Sequence, residues 1–311
     1  MPKLVDPVVF AQPHYEAMAA SIANELGAEL GEVERRVFPD GEHYQRVVTQ
    51  IADRDAILVG GTVDETATLT MFDLGCAISK YGARRLDLII PYYGYSTMER
   101  STIPGEVITG KTRSRVLSAI PAAAAGNRAW FLDLHAEGIQ HYCEGHMVAR
   151  HIYAKPVLLP VMRELGGEGM VLASTDAGRA KWVQSLSNEL GCAAAIIIKR
   201  RLSGDETMVS SVSCDVEGRR VVIYDDMIRT GGSLLGAAKT YLDAGATAVD
   251  VVATHGVLPG DAFKRLRDSG LLGTIACTDS HPRAMELESE GLRIIPVAPL
   301  LAQKVGDGSV S

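Results

Sequence analysis

No apolar run in this 311-residue chain reaches the roughly 18 residues that a membrane-spanning helix needs, and the start, Met-Pro-Lys-Leu-Val-Asp, lacks a hydrophobic signal core. A cytoplasmic protein with no membrane partner is expected. Cysteine is sparse and unpaired. The five residues (Cys76, Cys143, Cys192, Cys214, Cys277) are odd in number and include no CxxC pair, which argues against a disulfide framework and for reduced thiols. Excess positive charge is also missing. A net charge of −7 excludes a broad basic face of the kind nucleic-acid backbones require. Small phosphates are not excluded, because a few local cations and backbone amides suffice for them. Low-complexity tracts, heptads and short-period repeats are absent as well.

What is present fits a globular protein of two ordinary domains, at 47% apolar and 22% charged residues. Short apolar runs recur at 56–59, 86–90, 130–132, 170–173, 195–198, 221–224 and 249–252. Helical-period stretches lie between several of them, at Glu65 to Tyr81, Ala177 to Leu190 and Gly232 to Asp243. Apolar strands alternating with helices predict an α/β protein with mainly parallel sheets flanked by helices. The break around residues 145–156 predicts a boundary between two halves, 1–152 and 153–311, the last residues of which can pack back on the first half.

Open sheets of this kind hold ligands at the carboxyl ends of their strands. Four polar clusters are predicted there: Asp133-Leu134-His135, Ser174-Thr175-Asp176, Lys199-Arg200-Arg201 and Asp225-Asp226. The last opens the most informative segment, a buried strand and two acids followed by Ile228-Arg229-Thr230-Gly231-Gly232-Ser233 and a helix. Glycines at 231 and 232 permit positive φ and close backbone approach, so amides at a helix N-terminus can converge on a phosphate, with the Thr230 and Ser233 hydroxyls as further donors. The adjacent carboxylates can accept hydrogen bonds from a vicinal diol. A sugar phosphate satisfies both halves.

Two other patterns are decoys. Gly105 to Thr112 satisfies the Walker A pattern, yet the nearest apolar run ends at Ile90 and Val107-Ile108-Thr109 reads as a helix start, whereas a P-loop needs a strand feeding directly into it. His135, His141, Cys143, His146 and His151 lack the paired short spacings of a zinc site.

The loop at 225–233 resembles the ribose-phosphate signature of type I phosphoribosyltransferases and ribose-phosphate pyrophosphokinases. From Val37 to about Pro282 the chain resembles the pyrophosphokinases in order: Phe38-Pro39-Asp40-Gly41-Glu42, Pro91-Tyr92-Tyr93-Gly94-Tyr95, Asp133-Leu134-His135, Asp176-Ala177-Gly178, Lys199-Arg200-Arg201, the loop, and Thr254-His255-Gly256. The resemblance implies two phosphoribosyltransferase-like domains. It also implies that Phe38, Asp40, Glu42, Arg100 and His135 bind ATP, across a subunit interface, and that His135 and Asp176 hold or position Mg2+. Asp225, Asp226, Arg229, Thr230, Gly231, Gly232 and Ser233 would take the ribose phosphate, while Lys199 and Arg201, on a mobile loop, would act in catalysis with His135. The family precedent is a dimer-based homo-oligomer, a hexamer. Positioning plus charge neutralisation is the equipment that pyrophosphoryl transfer needs.

Two departures stand out. The family's Arg-Gln-Asp-Arg after Gly-Tyr is Thr97-Met98-Glu99-Arg100 here, so one ATP-contacting arginine is absent, and Arg229 replaces a third acid of the loop. Alternatives to transfer onto ribose 5-phosphate are the same chemistry on another acceptor such as ADP-ribose, a type I phosphoribosyltransferase, and a non-catalytic regulatory homologue.

Overall fold

The computed structural model describes residues 3–201 and 208–308, with side chains described for all of these except 199–201 and 208–210. The chain divides into two compact units, Met1–Tyr153 with Val297–Ser311, and Ala154–Pro296.

The first unit contains β1 (Val8–Ala11), α1 (Glu16–Leu26), β2 (Glu29–Leu30), the hairpin β3 (Val33–Val37) and β4 (His43–Val47), β5 (Asp55–Val59), α2 (Glu65–Lys80), β6 (Arg85–Ile90), α3 (Thr109–Ser118), β7 (Asn127–Leu132) and β8 (Met147–Ile152). Six strands form a parallel sheet in the order β2-β1-β5-β6-β7-β8. Strands β5 and β6 are buried along their whole length, as strands covered on both faces must be, and the charges they carry, Asp55, Arg85 and Asp87, are paired with one another. Each fully buried Leu or Ile there contributes about 1.5–3 kcal/mol of transfer free energy. Helix α2 shows how sequence makes the covering layer. The Asp64 carboxylate accepts from the Ala67 amide at 2.7 Å as N-cap, and Thr68, Met71, Leu74, Gly75 and Ile78 form the buried stripe. The helix Ala298–Asp307 packs against α1.

The second unit contains α4 (Lys155–Gly166), β9 (Val171–Ala173), α5 (Ala180–Leu190), β10 (Ala193–Ala195), the ribbon β11 (Ile197–Arg201) and β12 (Met208–Val212), β13 (Arg220–Ile228), α6 (Gly232–Asp243), β14 (Ala248–Gly256), α7 (Ala262–Asp268), β15 (Ile275–Thr278), α8 (Pro282–Leu287) and β16 (Arg293–Ile295). Its sheet is parallel in the order β10-β9-β13-β14-β15-β16. This is the same winding as in the first unit. In each sheet the chain order reverses once, between β1 and β5 and between β9 and β13, and such a switch point is where ligands enter open α/β sheets.

The α/β expectation holds, with local corrections. The run at 195–198 splits at Ile196, so that Ala195 ends a sheet strand and Ile197 starts the antiparallel ribbon. Lys199-Arg200-Arg201 therefore lies inside a ribbon strand and not beyond the end of a parallel one. Strand β13 also runs four residues past Tyr224, to Ile228, and carries Asp225 and Asp226 within it.

Candidate active site

In the second unit the switch point is flanked by the end of β9 and the end of β13. On the β9 side, Asp176 is exposed in extended backbone, and its Oδ1 accepts from the Gly178 amide at 2.8 Å, forming a tight turn. The Ser174 hydroxyl donates to the Asp176 carbonyl at 2.7 Å, and the Tyr241 hydroxyl, from α6, donates to the Ser174 carbonyl at 2.8 Å. The turn is thus tied to the helix that follows the phosphate loop.

On the β13 side, Asp225 Oδ1 accepts from the Asp226 amide at 2.9 Å and its Oδ2 faces the Thr175 hydroxyl at 3.4 Å. Asp226 is 5% exposed and its Oδ2 lies 2.6 Å from Nη2 of Arg179. Burial first, and the Asp226 charge second, push the Asp225 carboxyl up to about 7. Arg179 is a residue that sequence reasoning missed. Only the turn at Asp176–Gly178 turns it back across the crevice, and no spacing rule signals that.

The loop behind the acids is built around one glycine. Gly231, at the N-cap of α6, has φ of 79°, and a Cβ there would lie 2.7 Å from Leu266 Cδ2. Gly232, expected to share that requirement, is the first helical residue, and a Cβ there would meet nothing within 4 Å. No side chain caps α6, and Gly232 and Ser233 are exposed, so the first-turn amides and the positive end of the helix dipole face outward. Arg229 and Thr230 are exposed at the same mouth. The structure therefore brings Asp176, Arg179, Asp225, Asp226 and the loop 229–233 to one switch point. The backbones of Lys199 and Arg201 pair with Ser210 and Met208 in the ribbon, and their side chains lie outside the described residues.

The first unit presents a second set. Phe38, Asp40 and Glu42 occupy the exposed turn of the β3–β4 hairpin, closed by the Phe38 amide to the Glu42 carbonyl at 2.8 Å and by the Glu42 amide to Asp40 Oδ1 at 3.1 Å. The Phe38 and Tyr44 rings meet edge to face with centroids 6.0 Å apart, and the Arg36 guanidinium lies 4.2 Å from the Tyr44 centroid and 5.4 Å from that of Phe38. Arg36 and Tyr44, unflagged by sequence, make this turn an aromatic and cationic platform on which a flat base can stack. Arg100 is 78% exposed and 3.4 Å from its neighbour Glu99.

His135 follows β7 in a strained turn. Asp133 has φ of 38°, rare for a residue with a side chain, and the next amide, of Leu134, donates to buried His151 Nε2 at 3.0 Å. As an acceptor at Nε2, neutral His151 carries its proton on Nδ1.

Both decoys resolve in local terms. In the Walker-like segment, Glu106 Oε2 accepts from the amides of Thr102 and Ile103 at 2.7 and 2.9 Å, and no strand feeds α3. Among the described residues no three His, Cys, Asp or Glu side chains group to hold a metal ion. His146 instead pairs with the Ile120 carbonyl at 2.5 Å.

Two doubly wound units, one with a glycine-turn phosphate loop beside an acid pair, define a phosphoribosyltransferase-like enzyme. The model for the N-terminal domain of ribose phosphate pyrophosphokinase matches residues 7–120, and that for the phosphoribosyl synthetase-associated domain matches 177–307. The chain is 33% identical to the ribose-phosphate pyrophosphokinase of Gloeobacter violaceus, over 94% of this chain and 89% of that one, and 30% identical to that of Streptomyces coelicolor, over 97% and 94%. A crystal structure of phosphoribosylpyrophosphate synthetase from Mycobacterium smegmatis superposes with a TM-score of 0.84 at 26% identity, over 98% of this chain and 100% of that one. The chain belongs to the ribose-phosphate pyrophosphokinase family.

Proposed function

We propose that this enzyme transfers pyrophosphate from ATP to the C1 hydroxyl of ribose 5-phosphate, giving 5-phosphoribosyl 1-diphosphate and AMP. The C1 oxygen forms a bond to the β-phosphorus, the bond from that phosphorus to the bridging oxygen of the α-phosphate breaks with AMP as leaving group, and the hydroxyl proton is lost to solvent. The observation that carries the reading is the second unit's switch point, where half-buried Asp225 and buried Asp226 stand beside an uncapped helix N-terminus. The acids accept the sugar hydroxyls, and the amides of 231–233 with the Thr230 and Ser233 hydroxyls take the 5-phosphate. Phe38, Asp40, Glu42 and Arg100 hold ATP, the ring of Phe38 with Tyr44 and Arg36 supplying the stacking surface. Lys199 and Arg201 neutralise charge on the transferring group.

Magnesium fits these residues as part of the substrates. Exposed Asp176 in the second unit and half-buried His135 in the first each offer a single protein contact, as suits an ion whose other ligands are phosphate oxygens and water. Magnesium supplies charge neutralisation on the polyphosphate. The enzyme acts in the cytoplasm as a dimer-based homo-oligomer; no helix among the described residues is long and apolar enough to cross a membrane.

Arg229 favours one variation. An exposed guanidinium at the loop mouth adds a bidentate anion donor, which suits an acceptor with a second phosphate, such as ADP-ribose. Incubating the protein with ATP, magnesium and each acceptor, and identifying both products by mass, tests the two. AMP together with the 1-diphosphate of ribose 5-phosphate is the expected pair, and ATP binding with no AMP release would indicate a non-catalytic homologue.

A further inference from the structure

We infer that Arg179 is a positioning residue of the acceptor site, its guanidinium holding the Asp226 carboxylate in the orientation that receives the sugar hydroxyls. The inference rests on the reading that the acid pair binds the acceptor. Arg179 ends the three-residue turn Ala177–Arg179, whose shape is set by the Asp176 carboxylate on the Gly178 amide and anchored to α6 through Ser174 and Tyr241. From there it crosses from the β9 side of the crevice to the β13 side and meets Asp226 at 2.6 Å. The contact is not a solvated surface pair, since the two side chains are 15% and 7% exposed. A buried carboxylate whose counterion is removed stays desolvated and must take up a proton or swing toward water.

Two adjacent acids sharpen this. Asp225 is already pushed toward protonation by burial and by the Asp226 charge, and Arg179 is the guanidinium that works against that shift. Arg179 therefore sets how much negative charge the pair offers to a neutral diol and a magnesium-bound phosphate. A planar guanidinium fixes a carboxylate in direction as well as in charge, so lysine is an incomplete substitute.

Steady-state constants for ribose 5-phosphate and ATP on the full chain test this, with Arg179→Met, Arg179→Lys, Asp226→Asn and the double variant Arg179→Met/Asp226→Asn. Arg179→Met is expected to raise the KM for ribose 5-phosphate about tenfold or more while that for ATP stays within about twofold, and Arg179→Lys to recover part of the loss. In the Asp226→Asn background most of the Arg179→Met loss should disappear, because the ion pair is then already gone and only the guanidinium's pull on Asp225 is left. An acceptor KM within about twofold of wild type in Arg179→Met, an equal rise in the ATP KM, or additive effects in the double variant would overturn the inference. If Arg179→Met does not fold, Arg179→Lys and the double variant, which leaves no Asp226 carboxylate buried without its counterion, decide the matter. An Asp226→Asn enzyme with normal acceptor KM sinks the acid-pair reading itself, whereas impaired Asp226→Asn beside normal Arg179→Met sinks only the role of Arg179.

Discussion

Gly231→Ala is expected to damage the second unit and its ligand site together, and the two costs can be estimated separately. The backbone there is left-handed, at φ of 79°, which costs a residue with a Cβ about 1–2 kcal/mol. The new methyl would sit 2.7 Å from Cδ2 and 2.8 Å from Cγ of Leu266, a buried side chain of α7 that cannot retreat into solvent, and overpacking of this kind costs about 1–3 kcal/mol. Together that is about 2–5 kcal/mol, which lowers the melting temperature by about 4–20 °C at about 2–4 °C per kcal/mol for a domain of this size. Gly232→Ala is the control. It adds a methyl one residue on, where nothing lies within 4 Å, and in a helical position it should leave stability unchanged or raise it by up to about 1 kcal/mol. Because that methyl stands among the outward-facing amides, it should still raise the KM for ribose 5-phosphate. Differential scanning fluorimetry with acceptor kinetics separates the outcomes. A Gly231→Ala protein as stable as wild type, or a Gly232→Ala protein that loses stability instead, refutes the reasoning.

Other expectations follow from the same geometry. Because the Asp225 carboxyl is raised to about 7, it is protonated below that pH, so acceptor KM should climb as pH falls through about 7 and this limb should vanish in Asp225→Asn, as a pH series will show. The stability sign is opposite. A carboxyl raised above its ordinary value of 3.8 favours the folded state below that value, and the contribution is lost as pH rises toward about 7, a trend that denaturant titrations of wild type against Asp225→Asn resolve. Lys199→Ala should cut kcat by about a hundredfold or more, as the role proposed for its charge on the transferring group requires; near-normal turnover removes it from catalysis. His151→Leu should loosen the Asp133–His135 turn and impair turnover with ATP, whereas His151→Gln, which keeps an acceptor near the position of Nε2, should retain activity; equal damage in both would contradict the role of the Leu134 contact.

The alternation of apolar runs and helices was legible because its physics is local, as in α2, where a capping Asp64 and a 3–4 spacing of buried residues determine the helix. The strand, glycine turn and helix around residues 225–233 were legible for the same reason, being contiguous in the chain. The Arg179–Asp226 contact was not, since the residues are 47 apart and meet only because β9 and β13 are neighbours and a short turn reverses the chain. Nor was the support of Leu134 by His151, a pairing of adjacent strand ends that sequence shows only as one more histidine. The glycines illustrate a finer limit. Gly231 and Gly232 look equivalent in sequence, yet only the first has the backbone and the Leu266 contact that demand the missing Cβ.

The two switch points differ in what occupies the helix N-terminus. Both sheets are wound alike, so α2 follows β5 as α6 follows β13. In the first unit the amide at Ala67 is taken by the Asp64 carboxylate at 2.7 Å, and Gln12 Nε2 reaches the Ala67 carbonyl from the end of β1 at 2.5 Å. An anion supplied by the chain already complements that helix dipole, and a second anion would meet its repulsion. Around it, Gly60 and Gly61 admit the Gln12 amide and the Tyr15 hydroxyl against the backbone, so the space glycine opens there is filled from within. In the second unit Gly231 stands where Asp64 does in the first, and it offers no side chain to the amides that follow. The same winding thus yields a self-capped, structural end and an open one, and the difference lies in a carboxylate at one N-cap and a bare glycine at the other.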